Sequence, residues 1–80
     1  ITADVADEAQ ATDCVAQAVD RLGGLDILIH SAGGPAPGSI EQLTPEAWRH
    51  AFAIHVDAAF YLCRAALPSL RANGEGAIVL

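Results

Sequence analysis

The stretch Leu25-Asp26-Ile27-Leu28-Ile29-His30-Ser31-Ala32-Gly33-Gly34-Pro35-Ala36-Pro37 decides how this chain is read. Its first five residues form a nearly continuous apolar run. That is the pattern of a strand buried on both faces, which belongs to parallel sheets, and it predicts a strand over 25–30. The run then breaks into His30-Ser31-Ala32-Gly33-Gly34, mostly small residues that let a ligand or another backbone come close. Pro35 and Pro37 forbid an immediate helix. In open parallel sheets, ligands bind beyond the carboxyl ends of the strands, and this turn falls there.

Toward the amino end, Ile1 to Ala3 read as the tail of a strand and Asp4-Val5-Ala6-Asp7 as the turn after it. Asp7 is a good N-cap, with Gln10 in the capping-box place and Glu8 in the first turn. Val15, Ala18, Val19 and Leu22 recur at helical spacing, and Gly23-Gly24 stop the pattern, so a helix is predicted over 8–22. Toward the carboxyl end a loop runs to about Leu43. Thr44 with Pro45 and Glu46 then opens a helix predicted over 45–72, closed by Asn73-Gly74. Pro68 lacks the N–H that would bond the Arg64 carbonyl, so a bend is expected near it. Ala77-Ile78-Val79-Leu80 reads as another buried strand. Helix, strand, helix, strand with short connections is an α/β pattern. Right-handed crossovers make it part of a doubly wound parallel sheet with helices on both faces.

The long helix overshoots its own domain. At about 1.5 Å per residue it measures roughly 42 Å, against about 30 Å across for a compact globule of this length. Stepping about 100° per residue gathers His50, Asp57, Tyr61 and Arg64 into one polar stripe. Asp57 and Arg64 on it read as a charge pair, and His50 as a solvated surface residue. The apolar arc from Ile54 through Trp48, Ala59, Cys63 and Ala66 to Phe60 covers roughly 240°, far beyond the ~100° that one core requires. A second partner is implied, either further parts of the same protein or another subunit. His55 stands near the middle of that arc, between Phe52 and Ala59.

Composition narrows the function classes. The 80 residues are 52% hydrophobic and 18% charged, where about 25% charged is usual. A chain this short buries only about 60% of its extended surface. It contains no Met and stops on an apolar run, so it reads as an excerpt from a longer protein. A net charge of −6 with four Lys and Arg argues against nucleic acid, which selects basic surfaces. No apolar run reaches the ~18 residues of a membrane span. Cys14 and Cys63 show no metal or C-x-x-C spacing and read as reduced structural thiols of a cytoplasmic protein. His30, His50 and His55 share neither a face nor a ligand spacing, so no metal site is expected.

Three patches, in order and at the right spacing, resemble the central segment of the short-chain dehydrogenase/reductase family. Asp4-Val5 resembles the Asp-hydrophobic pair after the third strand. Leu25 to Gly33 resembles the fourth strand and its Asn-Asn-Ala-Gly turn. The helix with Trp48, Phe60, Arg64-Ala65-Ala66 and Pro68, closing on Gly76-Ala77-Ile78-Val79, resembles the long interface helix and fifth strand. The resemblance spans essentially the whole chain. It implies a Rossmann-type domain that binds NAD or NADP and moves a hydride between the nicotinamide and a small carbonyl or alcohol substrate. It also implies a dimer or tetramer built through the 45–72 helix. Asp4 and Val5 would then hold the adenine ring, while Ser31, Ala32 and Gly33 would border the cofactor. His55 takes the place of an Asn in the family's catalytic group, whose backbone carbonyl helps hold a water in the proton relay.

The departures from the family pattern matter as much. His30-Ser31 replaces the Asn-Asn pair, so an imidazole and a hydroxyl would make the contacts that brace the sheet. The Gly-rich phosphate loop would precede Ile1, and the catalytic Ser and Tyr-x-x-x-Lys would follow Leu80. The 80 residues alone are therefore expected to be inactive. Plainer readings stand beside these assignments: Asp4 as a turn residue, Ser31 as a packed small residue, His55 as a hydrogen-bonded core histidine. Two other functions fit parts of the pattern. One is an inactive Rossmann module that binds a nucleotide or a protein, suggested by the three drifted positions. The other is an α/β-hydrolase with Ser31 as nucleophile, suggested by Ile29-His30-Ser31-Ala32-Gly33. Bulky Ile29 and the missing helix after Ser31 weigh against the second.

Overall fold

A computed structural model describes all of residues 1–80. Helix α1 spans Glu8–Leu22. Asp7 caps it by accepting a hydrogen bond from the Gln10 N–H at 2.9 Å. Gln10 does not close a capping box on Asp7; its side-chain oxygen reaches past the cap and accepts from the Asp4 N–H at 3.0 Å. Gly23 ends the helix at φ 81°, a left-handed conformation costly for any residue with a Cβ.

Strand β1, Ile27–Ile29, and strand β2, Ala77–Val79, lie side by side and parallel, with Leu28 opposite Ile78. The bonds His30 N–H to Val79 O and Ala77 N–H to Asp26 O, at 2.9 and 3.0 Å, extend the pairing by a residue at each end. Residues 25–30 and 77–80 thus pair as the sequence predicts, slightly shortened. Ile1 to Ala3, expected as a strand tail, join no sheet.

Between the strands the chain is helical from Pro45 to Ala72, in three pieces: α2 (Pro45–Phe52), a π-helical turn (Ala53–Asp57) and α3 (Ala58–Ala72). Thr44 caps α2 by accepting from the Ala47 N–H at 3.1 Å, with Pro45 in the first turn, where a missing N–H costs nothing. The irregularity expected at Pro68 is displaced: α3 continues helical through Pro68 to Ala72. It falls instead at 53–57, where the Ala58 N–H bonds the Ala53 carbonyl, five residues back. The extra residue in that turn rotates everything after it by about one residue's worth, roughly 100°, relative to an unbroken helix.

That rotation rearranges the faces predicted from a uniform projection. Ala58, Leu62, Ala66 and Leu70 form the buried row of α3. Leu62, Ala66 and Leu70 close on Ala11 and Val15 of α1, with Val5, Leu28 and Tyr61 packed at the edge. Tyr61 therefore leaves the solvated stripe for the edge of the core. Arg64 ion-pairs with Glu8 on α1 rather than with Asp57, and its guanidinium lies 4.8 Å from the centre of the Phe60 ring. Trp48, Phe52, Val56 and Phe60, each four residues apart, remain exposed.

Helices were expected on both faces of the sheet, but α1 and α3 pack together on one. Residues paired in a parallel ladder share a face, so Leu28 and Ile78 look toward the helices. Ile27, Ile29 and Val79 look the other way and stand 59%, 64% and 53% exposed. Only the helical segment from Pro45 to Ala72 crosses between paired strands, and α1 joins its face by packing on α3. The molecule is elongated, 47 × 21 × 15 Å with a radius of gyration of 14.5 Å, where about 12 Å is usual for this length. No helix is long and apolar enough to cross a membrane.

Candidate dinucleotide site

The turn after β1 is the centre of the site, and it is built almost without backbone support. Ser31 to Gly38 make no backbone–backbone hydrogen bond, and Ser31, Ala32 and Gly33 are exposed. Their N–H groups therefore stay free at the carboxyl end of the strand pair. The Ser31 hydroxyl makes no hydrogen bond within the chain and is not packed as the plainer reading of it required.

His55 reaches this turn from the π-helical segment. Its Nε2 lies 3.0 Å from the Gly34 carbonyl oxygen and 3.4 Å from the Gly34 nitrogen. The ring lies against Gly33, where an added Cβ would stand 2.3 Å from Cε1. His55 is thus exposed and bonded to the turn, not buried in the apolar face as the helical projection placed it. Residue 55 lies within the π-turn itself, where a uniform helical projection does not hold.

His50 joins the same region. A cleft of about 240 Å³ is lined by Gly34, Pro35, Pro37, His50, Ile54 and His55. Five residues on an α-helix are about 140° apart, so the sequence alone puts His50 and His55 on different faces. The loop at 34–37 reaches both, which helical spacing could not show.

Asp4 lies in the turn before α1, where its Oδ1 accepts from the Ala6 N–H at 3.0 Å and its carbonyl accepts from the Asp7 N–H at 3.1 Å. Its other carboxylate oxygen has no partner, and the Val5 N–H makes no hydrogen bond. Val5 packs its side chain on the α1–α3 core. No hydrogen bond joins Asp4 to the Ser31–Gly34 turn.

His30 follows a different course from the one its sequence position implied. Its ring is buried, 8% exposed, and Nε2 has no hydrogen-bond partner. The bracing contacts expected of it are not made within residues 1–80. The hydrolase reading fails here too. Ser31 is followed by an extended loop, and the next helix begins only at Pro45, whereas a nucleophile elbow feeds directly into a helix.

Comparison with known proteins supplies the class. The family model for short chain dehydrogenase matches residues 1–80, and the chain belongs to that family. It is 41% identical over 76 residues to 2-keto-3-deoxy-L-fuconate dehydrogenase of Xanthomonas campestris pv. campestris, covering 95% of this chain and 24% of that protein. A crystal structure of a short-chain dehydrogenase from Streptomyces avermitilis superimposes with a TM-score of 0.90 at 33% identity, covering 98% of this chain and 29% of that one. An NADH-dependent reductase complexed with NAD gives a TM-score of 0.91 at 25% identity, covering 98% of this chain and 35% of that one. The chain spans between 24% and 33% of the length of the curated relatives it matches.

Proposed function

We propose that this chain is the central part of the nucleotide-binding domain of an NAD- or NADP-dependent oxidoreductase. The parent enzyme would act on a small carbonyl or alcohol substrate. The observation that carries this is the turn of free N–H groups at the carboxyl ends of parallel β1 and β2, faced by His55 across the chain. A parallel sheet concentrates ligand binding at that edge, and the fold is shared with a reductase complexed with NAD.

The residues present fit a dinucleotide. An adenine edge offers one hydrogen-bond donor and one acceptor, and Asp4 and Val5 hold the complementary pair unspent: a carboxylate oxygen and a backbone N–H. Ser31, Ala32 and Gly33 present a small-residue wall that a ribose or nicotinamide can approach closely. The nicotinamide, when bound, supplies or takes the hydride. His55 occupies the helix position of the family's catalytic Asn and contributes to the proton path from the π-turn.

The exposed row Trp48, Phe52, Val56 and Phe60 supports assembly of the parent into a dimer or tetramer through this helix, since apolar surface of this extent ordinarily marks an interface. Two free cysteines support a cytoplasmic setting. The test is to titrate the full-length protein with NAD and NADP and to follow reduced nicotinamide with a panel of alcohols and ketones. Binding with turnover supports the oxidoreductase. Binding without turnover on any substrate favours an inactive nucleotide-binding module, and absence of binding to either dinucleotide refutes the oxidoreductase and favours a protein-binding module.

A further inference from the structure

The Ser31–Gly38 segment contains three glycines and two prolines and draws no support from backbone pairing. One side chain hydrogen-bonds it to the rest of the molecule. That side chain is His55, through Gly34, across 21 residues of sequence. A ring nitrogen either donates or accepts. The contact to the Gly34 carbonyl, 3.0 Å, is shorter than the 3.4 Å contact to the Gly34 nitrogen. The shorter contact is the one an Nε2–H imidazole makes by donating a hydrogen bond to the carbonyl, and that tautomer leaves Nδ1 without a partner in the chain.

Gly33 completes the arrangement for a steric reason. Its φ is not positive; only Gly23, Gly38 and Gly74 adopt that conformation. The backbone at position 33 would therefore accept an alanine. The ring would not: a Cβ there falls 2.3 Å from His55 Cε1 and 2.9 Å from Nδ1. The imidazole could make room only by swinging away, and swinging away breaks its bond to Gly34.

We propose that His55 is the positioning residue of the Ser31–Gly34 turn, and that Gly33 lacks a side chain because it passes beneath the imidazole. The pair acts as one latch: the ring fixes the turn, and the turn leaves space for that ring alone. The free N–H groups of Ser31, Ala32 and Gly33 are thereby held at the carboxyl end of β1. The consequence for cofactor rests on the dinucleotide reading given above, whereas the latch itself does not.

The test uses the full-length protein with Gly33→Ala, His55→Ala, the double variant and His55→Asn. Nitrogen relaxation of the backbone amides of residues 31–34 without cofactor reads the latch directly. Either single alanine variant should lower the order parameters there from the rigid range near about 0.85 toward the flexible range below about 0.6. The double variant should be no more mobile than the looser single one, because both changes break the same contact. His55→Asn, whose amide can still donate to a carbonyl, should stay near wild type. Nitrogen chemical shifts of His55 should report the Nε2–H form. In dinucleotide titrations the single alanine variants should weaken affinity by about fivefold to tenfold, the scale of one hydrogen bond. Additive loosening in the double variant, unchanged order in His55→Ala, or an Nδ1–H imidazole would each overturn the latch. If Gly33→Ala does not fold, His55→Ala against His55→Asn decides on the same relaxation readout. Should the wild type bind neither NAD nor NADP, the dinucleotide reading falls and the relaxation results still decide the latch.

Discussion

Asp4 offers the sharpest test of the dinucleotide site, because its two carboxylate oxygens have separate duties. Oδ1 accepts from the Ala6 N–H at 3.0 Å and fixes the turn; the other oxygen is free. Asp4→Asn can keep the first duty, since an amide oxygen still accepts from Ala6. It replaces the free acceptor with an NH2 donor, which would face the amino group of adenine donor to donor. Asp4→Ala removes both. A hydrogen bond to a charged acceptor contributes about 1.5–3 kcal/mol when sheltered. Asp4 is exposed, so about 1–2 kcal/mol is the better figure, a loss of roughly 5- to 30-fold in affinity. Isothermal titration of the full-length protein should therefore find Asn as damaging as Ala for dinucleotide affinity. Thermal melts should find Asn near wild type and Ala lower by about 0.5–1.5 kcal/mol, the worth of the lost Oδ1 bond. Turnover at saturating cofactor should hardly change. Wild-type affinity in Asp4→Asn, combined with destabilisation in Asp4→Ala, would refute the reasoning and make Asp4 a turn residue only.

Further outcomes follow from the packing. Leu62 sits in a core cluster of only five buried residues, so Leu62→Ala should cost about 2–5 kcal/mol, read as a lower urea midpoint with an unchanged slope; a loss below about 1 kcal/mol would mean that the α1–α3 contact is not central. Arg64→Ala removes an ion pair whose side chains are 57% and 56% exposed, and the melt should fall by no more than about 1 kcal/mol; a larger loss would show that Arg64 is shielded in the assembled protein. Phe52→Asp or Phe60→Asp should shift the full-length protein to a smaller species in light scattering, and an unaltered mass with both would remove this row from the interface.

Much of this chain was legible because local chemistry decided it. Asp7 and Gly23 bound α1, Thr44 and Pro45 open α2, and the 25–30 and 77–80 runs pair in parallel, as an apolar run bounded by small residues demands. The order of three patches was enough to point to the family that the comparison identifies. What stayed hidden depended on contacts between distant residues. A single inserted residue at 53–57 is invisible to a projection that assumes a uniform 100° step. It set Tyr61 against the edge of the core and turned Arg64 to Glu8, while His55, within the turn itself, meets Gly34. Likewise a run of apolar residues states that a strand is buried, but not which face its own helices cover. Tertiary structure put both helices on the Leu28 side and left Ile27, Ile29 and Val79 bare. Gly33 shows the division most plainly. The sequence marked a place where something comes close, and only the fold showed that it is the imidazole of His55, because close approach depends on the whole path of the chain between them.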